Sequence, residues 1–399
     1  MFHIASEDQI KRGETTDIYF VRTKQVLQAK GLLNVDALAE VTASSLPLDW
    51  SWAVLCGIEE AAHLLEGLPV DVDAIAEGTV FHSRDHRGLR IPVMTIEGPY
   101  GKFCEYEAPL LGLLCQASGI ATMAARVRKV AGDRMVMSFG VRRMHPALAP
   151  MIDRAAYVGG MDGASSLLGA KTIGKSPVGT MPHALMIMMG DQVAAWKAFD
   201  EVSPPEVPRI ALVDTYYDEK AEAIMAAEAL GKKLFGVRLD TPSSRRGNFA
   251  EIVREVKWEL EVRGFGDVKV IVSGGLDDRN IEPLVEAGAD GFGVGTSVSN
   301  APTIDFALDI VEKQGKPVAK RGKLGGRKKS WRCAECLVEK IETPSSVPPR
   351  CPYCTKEMKP LLEPLIRKGK IIAKPSSVDE IRTRLLNELE KLKKTPSGR

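Results

Sequence analysis

The four cysteines of CAEC and CPYC, Cys333, Cys336, Cys351 and Cys354, stand in a C-x2-C, fourteen-residue gap, C-x2-C array. Each pair presents two thiolates from one tight turn, and two such turns fill a tetrahedral shell with no open position. That is the chemistry of a structural metal rather than a catalytic one. Zinc suits the shell better than iron, and disulfides are the alternative. Cys56, Cys104 and Cys115 are scattered through apolar sequence and read as small buried hydrophobes in a reducing compartment.

A second set of residues suggests catalysis. SFGVRRMHP, residues 138–146, opens like a strand and ends in Arg142, Arg143 and His145 behind Phe139, which suits a socket for something flat and anionic. VSGGLD and GFGVGTS put Ser273, Gly274, Gly275, Gly293 and Gly295 where backbone N–H groups can point at a phosphate. Their spacing lacks the dinucleotide fingerprint. Carboxylates close other strand candidates: Asp162, Asp214, Asp240 and Asp277, the last equally readable as a helix N-cap. Facing them are Arg142, Arg143, Lys171, Lys175, Arg238 and a basic run, KRGKLGGRKKSWR, with seven cations and three glycines over residues 320–332. Carboxylates hold hydrated magnesium and accept from sugar hydroxyls, so the expected substrate carries several phosphates and a sugar.

The elements that must position these groups follow from the pattern. After Gly132, buried-strand candidates (RMVMSFG, AAYVGGMD, SPVGTM, RIALVDTY, KLFGVRLD, VKVIVSGGLD, DGFGVGTS) alternate with helical stretches such as EKAEAIMAAEALG. Alternation of this kind means parallel strands with right-handed crossovers. Functional clusters after most strands favour a βα barrel over a doubly wound sheet, which would gather them at one switch point. Before it, Met1 to about Glu107 reads as an α/β sandwich, and residues 108–132 as a buried helix. The expected architecture is α/β, with an N-terminal open sandwich over 1–115 completed by C-terminal residues. An irregular barrel follows over 116–305, and a C-terminal region over 306–399 carries the basic loop, a zinc knuckle at 333–354, an amphipathic helix and a frayed KKTPSGR.

Length and composition set outer limits. At 399 residues the chain exceeds one ordinary core, and 44% hydrophobic with 27% charged residues is globular. A net charge of +2 argues against a dedicated nucleic-acid binder, although a zinc-ribbon nucleic-acid-binding protein is the rival from another class. The sequence shows no run of 18 or so uninterrupted apolar residues, and its first residues are too polar for a signal peptide, so a cytoplasmic protein is expected.

In order along the chain, DIYF, EGPYGKFCEYEAPLLGLLCQASGIATMAARV, SFGVRRMHP, GGMDGASSLLGAKTIGKSPVGTMPHALM, VDTYYD, VRLDTPSS, SGGLD and KRGKLGGRKKSWR resemble the motifs of nicotinate phosphoribosyltransferases, with a four-cysteine insert similar to that of archaeal members. The resemblance implies a type II phosphoribosyltransferase, a homodimer or higher oligomer with shared sites. It would transfer the phosphoribosyl group of phosphoribosyl pyrophosphate, with magnesium, onto nicotinate. It implies that the pyridine ring lies on Phe139 under Tyr19 of a second subunit, with Arg142 on the carboxylate and Asp162 near ring and ribose. Asp214 and Asp240 would serve ribose or magnesium, and Arg238 the anionic groups. Ser273, Gly274, Gly275, Gly295 and Thr296 would cradle the 5′-phosphate, while Lys320, Lys323 and Arg327 reach pyrophosphate. His183 corresponds to the histidine phosphorylated where the family couples ATP hydrolysis, and the use of ATP here is open. Quinolinate phosphoribosyltransferase is the near alternative, since Arg143 beside Arg142 offers a cation for a second carboxylate.

Overall fold

The computed structural model describes residues 2–245 and 247–392; the final KKTPSGR lies outside them. Two compact units emerge, one of residues 123–301 and one of residues 1–122 together with 302–399.

The alternating region builds the first unit around six parallel strands. Their order is Gly163–Ala164, Met135–Ser138, Gly291–Val294, Lys269–Ser273, Leu234–Leu239, Arg209–Leu212. Parallel neighbours require crossovers, and helices Glu219–Leu230 and Phe249–Val262 supply two of them. Asp218 and Asn248 cap these helices by accepting from the N–H groups of Ala221 and Glu251. Val253, Val256 and Leu260 form the buried stripe of the second. Val237, Val270, Val272 and Phe292 have no exposed surface, as expected for strands covered on both faces.

The sheet is an open half-barrel. Among the described strands nothing pairs Gly163–Ala164 with Arg209–Leu212, so the closed ring of strands is not formed. Two strand candidates fail to ladder. Ala155–Val158 instead finishes helix Ala149–Val158, whose Ile152, Ala155 and Ala156 are buried. SPVGTM is an extended loop touching the sheet through one bond, Val178 N–H to the Ala164 carbonyl at 2.9 Å. Pro177 and Pro182 have no N–H to donate there.

The second unit holds a seven-stranded antiparallel sheet in the order Lys316–Pro317, Phe306–Lys313, Asp36–Ala43, Pro92–Pro99, Asp71–Ala74, Glu363–Arg367, Lys370–Ile371. C-terminal strands therefore complete the N-terminal sheet. Helix Glu107–Ala131 carries the chain onward. Among the described residues one helical stretch, Tyr100–Ala131, is long and apolar enough to cross a membrane by composition, but 67% of its apolar window is buried in protein, as in a core helix. The cysteine array sits beside a three-stranded sheet of Glu339–Glu342, Lys329–Arg332 and Lys359–Pro360. Ile381, Leu385, Leu389 and Leu392 bury one face of helix Val378–Leu392.

Candidate active site

Five of the six parallel strands end at one cavity. A cavity of about 360 Å³ is lined by Phe139, Arg142, Arg143, His183, Arg238, Asp240, Ser273, Gly274, Gly275, Gly295 and Thr296, with Ser165, Gly293 and the loop 179–182. Twelve of the residues singled out from the sequence thus meet around one hollow, inside the 123–301 unit.

Phe139 follows strand Met135–Ser138, and its position depends on Gly293 in the neighbouring strand. A Cβ on Gly293 would lie 2.4 Å from Phe139 Cε2, so the ring occupies the space a side chain would take. This glycine is a seat for the aromatic ring. Gly293→Ala is expected to push the ring into the cavity at about 1–3 kcal/mol of overpacking. It should raise KM for the ring-bearing substrate by roughly tenfold and leave KM for the sugar donor unchanged, as steady-state kinetics will show.

Arg238 projects from strand Leu234–Leu239, with its guanidinium carbon 6.0 Å from the Phe139 ring centroid. Its Nη2 donates to the Met181 carbonyl at 3.2 Å, and the Asp240 carboxylate is 3.9 Å away. The buried Nε has no hydrogen-bond partner among the described residues. Burial holds its pKa below the usual arginine value, partly offset by Asp240 and Asp214. A buried cation with an unused donor is costly until an anion meets it.

Asp240 faces the cavity and is held from behind. Ser273 Oγ donates to its Oδ1 at 2.7 Å, and its own N–H donates to Asp214 Oδ2 at 2.8 Å. Gly274 and Gly275, with φ of 92° and 68°, follow Ser273 in the left-handed region, where successive N–H groups form a concave nest for anions. Asp214 does not line the cavity. Its side chain is 3% exposed and accepts from His183 Nε2 at 3.0 Å and from Thr241 Oγ1 at 2.9 Å. That hydrogen bond is the main reason the His183 pKa is raised. Asp214 therefore orients His183 and the 240 loop.

Sequence reasoning missed Glu222. Fully buried one turn into helix Glu219–Leu230, it accepts from the N–H groups of Thr215, Tyr216 and Tyr217 at 3.0, 2.7 and 2.9 Å, fixing the loop that carries Asp214. A glutamate in the first turn of a helix is unremarkable in sequence, so no local signal marked it. Thr180 and Met181, on the cavity wall, fall in the strand candidate SPVGTM rather than among the expected site residues.

Other expected site residues lie elsewhere. Asp162 is not at the cavity: its Oδ2 takes Arg128 Nη2 at 2.5 Å and the Val136 N–H at 2.8 Å, beside the start of strand Met135–Ser138. Tyr19, Lys320, Lys323 and Arg327 belong to the other unit. Tyr19, on helix Ile18–Ala29, is 56% exposed and lines a second, more apolar hollow of about 720 Å³ together with Lys320, Tyr100 and Glu107. Lys320 and Lys323 both pair with Asp309, and Arg327 lies 2.6 Å from Glu97. With Lys328 on Glu40 and Arg332 on Glu388, five of the seven cations in the basic run face carboxylates. That leaves little uncompensated charge for a nucleic-acid backbone, which needs an extended positive surface.

The cysteines converge as the spacing required. The four Sγ atoms all lie within 4.8 Å of one another. The two knuckles repeat one geometry: Leu337 N–H donates to the Cys333 carbonyl and Thr355 N–H to the Cys351 carbonyl, both at 3.0 Å. Leu337 and Thr355, each just after the second cysteine of its pair, have φ of 58° and 60°. A leucine is rarely left-handed without something to hold it there, and an ion bound by the thiolates would supply that constraint. The four sulfurs fit zinc, which would hold the two knuckles together without an open coordination position.

An open parallel half-barrel with anion-binding groups at its strand ends, in a chain that also carries an antiparallel sheet unit, is the build of a type II phosphoribosyltransferase. Residues 17–118 match the quinolinate phosphoribosyl transferase N-terminal domain, and residues 120–309 its C-terminal domain. The crystal structure of nicotinate-nucleotide pyrophosphorylase from Pyrococcus furiosus is 56% identical over 98% of each chain, with a TM-score of 0.93. Nicotinate phosphoribosyltransferase pncB1 of Mycobacterium tuberculosis is 28% identical over 93% of this chain and 89% of that protein. Human nicotinic acid phosphoribosyltransferase shares the fold at 18% identity and a TM-score of 0.74, with 94% of each chain covered. The chain belongs to the family defined by the two quinolinate phosphoribosyl transferase domains, which has nicotinate phosphoribosyltransferases among this chain's relatives, and is an enzyme.

Proposed function

We propose that the chain transfers the phosphoribosyl group of phosphoribosyl pyrophosphate to the ring nitrogen of nicotinate, releasing pyrophosphate and forming nicotinate mononucleotide. The observation that carries this reading is Arg238, buried between the face of Phe139 and Asp240 with a donor unused. A planar anion over Phe139 would meet the positive charge of that guanidinium. Arg142, on the turn Val141–Arg143, is the guanidinium for the nicotinate carboxylate, which a two-pronged hydrogen bond fits.

In this reading the C1′–oxygen bond to pyrophosphate breaks as the ring nitrogen's lone pair forms the new C1′–nitrogen bond. No general base is needed, because the nitrogen carries no proton. Asp240 stabilises the cationic sugar, and its fixed position means little reorganisation accompanies the charge that develops. The N–H groups of Gly274, Gly275, Gly295 and Thr296 and the hydroxyl of Ser273 form the cradle for the 5′-phosphate. Magnesium would sit on Asp240 and offset charge on the leaving pyrophosphate. Tyr19 and the lysines of the basic run would serve the site of a second copy in a homodimer. His183, with Nε2 on Asp214, keeps Nδ1 as the nitrogen for a phosphoryl group should ATP hydrolysis be coupled. A cytoplasmic location suits a thiolate-bound metal.

Quinolinate is the second reading, favoured by Arg143 on the cavity wall beside Arg142, a cation for another carboxylate. Pyrophosphate release measured in parallel with nicotinate, nicotinamide and quinolinate separates the two. Turnover with nicotinate alone is expected, and turnover with quinolinate alone would reassign the acceptor.

A further inference from the structure

Glu40 and Asp309 are register partners on the adjacent antiparallel strands Asp36–Ala43 and Phe306–Lys313, and they are only 5% and 6% exposed. Two carboxylates so placed repel each other and lose hydration, so both need cations close by. The cations come from one short segment. Lys320 Nζ lies 2.6 Å from Asp309 Oδ1, and Lys323 pairs with Asp309 Oδ2. Lys328 Nζ meets both Glu40 oxygens at 2.9 Å and also donates to the carbonyls of Leu324 and Gly326 at 3.0 Å.

Residues 320–328 contain three glycines and form neither helix nor strand. Their path is set by these ion pairs and by two backbone bonds, Gly326 N–H to the Val311 carbonyl at 2.7 Å and Arg327 N–H to Glu312 Oε1 at 2.6 Å. The lysines differ in accessibility: Lys328 and Lys323 side chains are 11% and 13% exposed, Lys320 66%. Lys328 and Lys323 are thus closed structural contacts, the Lys323 Nζ being buried. Lys320 keeps an exposed ammonium although its salt bridge fixes where that ammonium stands.

We infer that Asp309 is a positioning residue: with one oxygen tied to the closed Lys323, it holds the exposed ammonium of Lys320 on the other, where that ammonium fits an oxygen of a diphosphate. The inference rests on the reading of Lys320 as a pyrophosphate ligand. A free lysine would lose side-chain entropy on meeting the anion, and Asp309 removes part of that loss beforehand. A residue that merely held the loop in place would affect melting temperature and leave ligand constants alone.

Steady-state kinetics of the full chain test this. Asp309→Asn should raise KM for phosphoribosyl pyrophosphate and the inhibition constant of pyrophosphate by about tenfold each, with kcat within about threefold and KM for the pyridine acid unchanged. Asp309→Glu retains the charge but displaces the ammonium groups, so it should melt with the wild type yet raise the same two constants roughly threefold; it decides the matter if Asp309→Asn does not fold. An active wild type whose folded Asp309 variants keep both constants, or bind pyrophosphate more tightly, overturns the inference. A wild type that releases no pyrophosphate with any pyridine acid overturns the functional reading itself.

Discussion

Asp240→Asn is expected to lower kcat by on the order of 10²–10³-fold with melting temperature nearly unchanged, the magnitude typical of removing one preorganised electrostatic group. The variant is nearly isosteric, and the Asp240 N–H bond to Asp214 is a backbone contact that survives the change. Ser273 Oγ can still donate to the amide oxygen. What is lost is the negative charge opposite the sugar, which matters most when that sugar is cationic, so the loss falls on kcat more than on KM. Rapid-quench measurement of nicotinate mononucleotide formation separates the chemical step from product release. If that step proceeded at the wild-type rate, Asp240 would have no part in stabilising charge at C1′.

Removing the metal should produce the largest change in stability. Structural zinc contributes about 10–16 kcal/mol to the folding of isolated zinc-finger peptides. Here the knuckles also carry buried charges. Arg332 lies 2.9 Å from Glu388, whose Oε2 accepts the Val80 N–H at 2.7 Å, and His82 Nδ1 is 2.7 Å from Glu339. Arg332 and Glu339 stand on strands next to the cysteines, so collapse of the knuckles would part these pairs, and a broken buried pair typically costs about 3–5 kcal/mol. Chelation, or Cys336→Ser, should therefore lower the melting temperature by well over about ten degrees and expose Trp331, now 6% exposed and packed with Cys333, Cys351 and Met358. Metal analysis should give one zinc per chain beforehand. A metal-free chain that melts with the loaded one would show that the sulfurs hold nothing structural.

Much of the site was legible because its groups follow strands. Phe139, Asp240, Gly274 and Gly295 each come directly after a buried strand, and the ends of parallel strands share one edge of their sheet. The same logic misplaced Asp162, because it precedes strand Gly163–Ala164 rather than following it, and its carboxylate turns back to Arg128 and Val136. The strand expected at SPVGTM does not form, since Pro177, harmless to an apolar pattern, removes a ladder donor. Glycine spacing records missing side chains and not what fills the space, so the seat that Gly293 makes for Phe139 was not legible.

By itself the sequence determined the groups whose geometry is local: the two C-x2-C turns, the glycine pair after Ser273, and the aromatic-then-arginine exit of strand Met135–Ser138. Bond angles and a few dihedrals set such arrangements within a handful of residues. Only the tertiary structure decided which charges are already answered, since Lys328 finds Glu40 across 288 residues and Asp214 turns to His183 instead of the cavity. Electrostatic energy depends on distance through space and on burial, and neither is written in the order of residues along the chain.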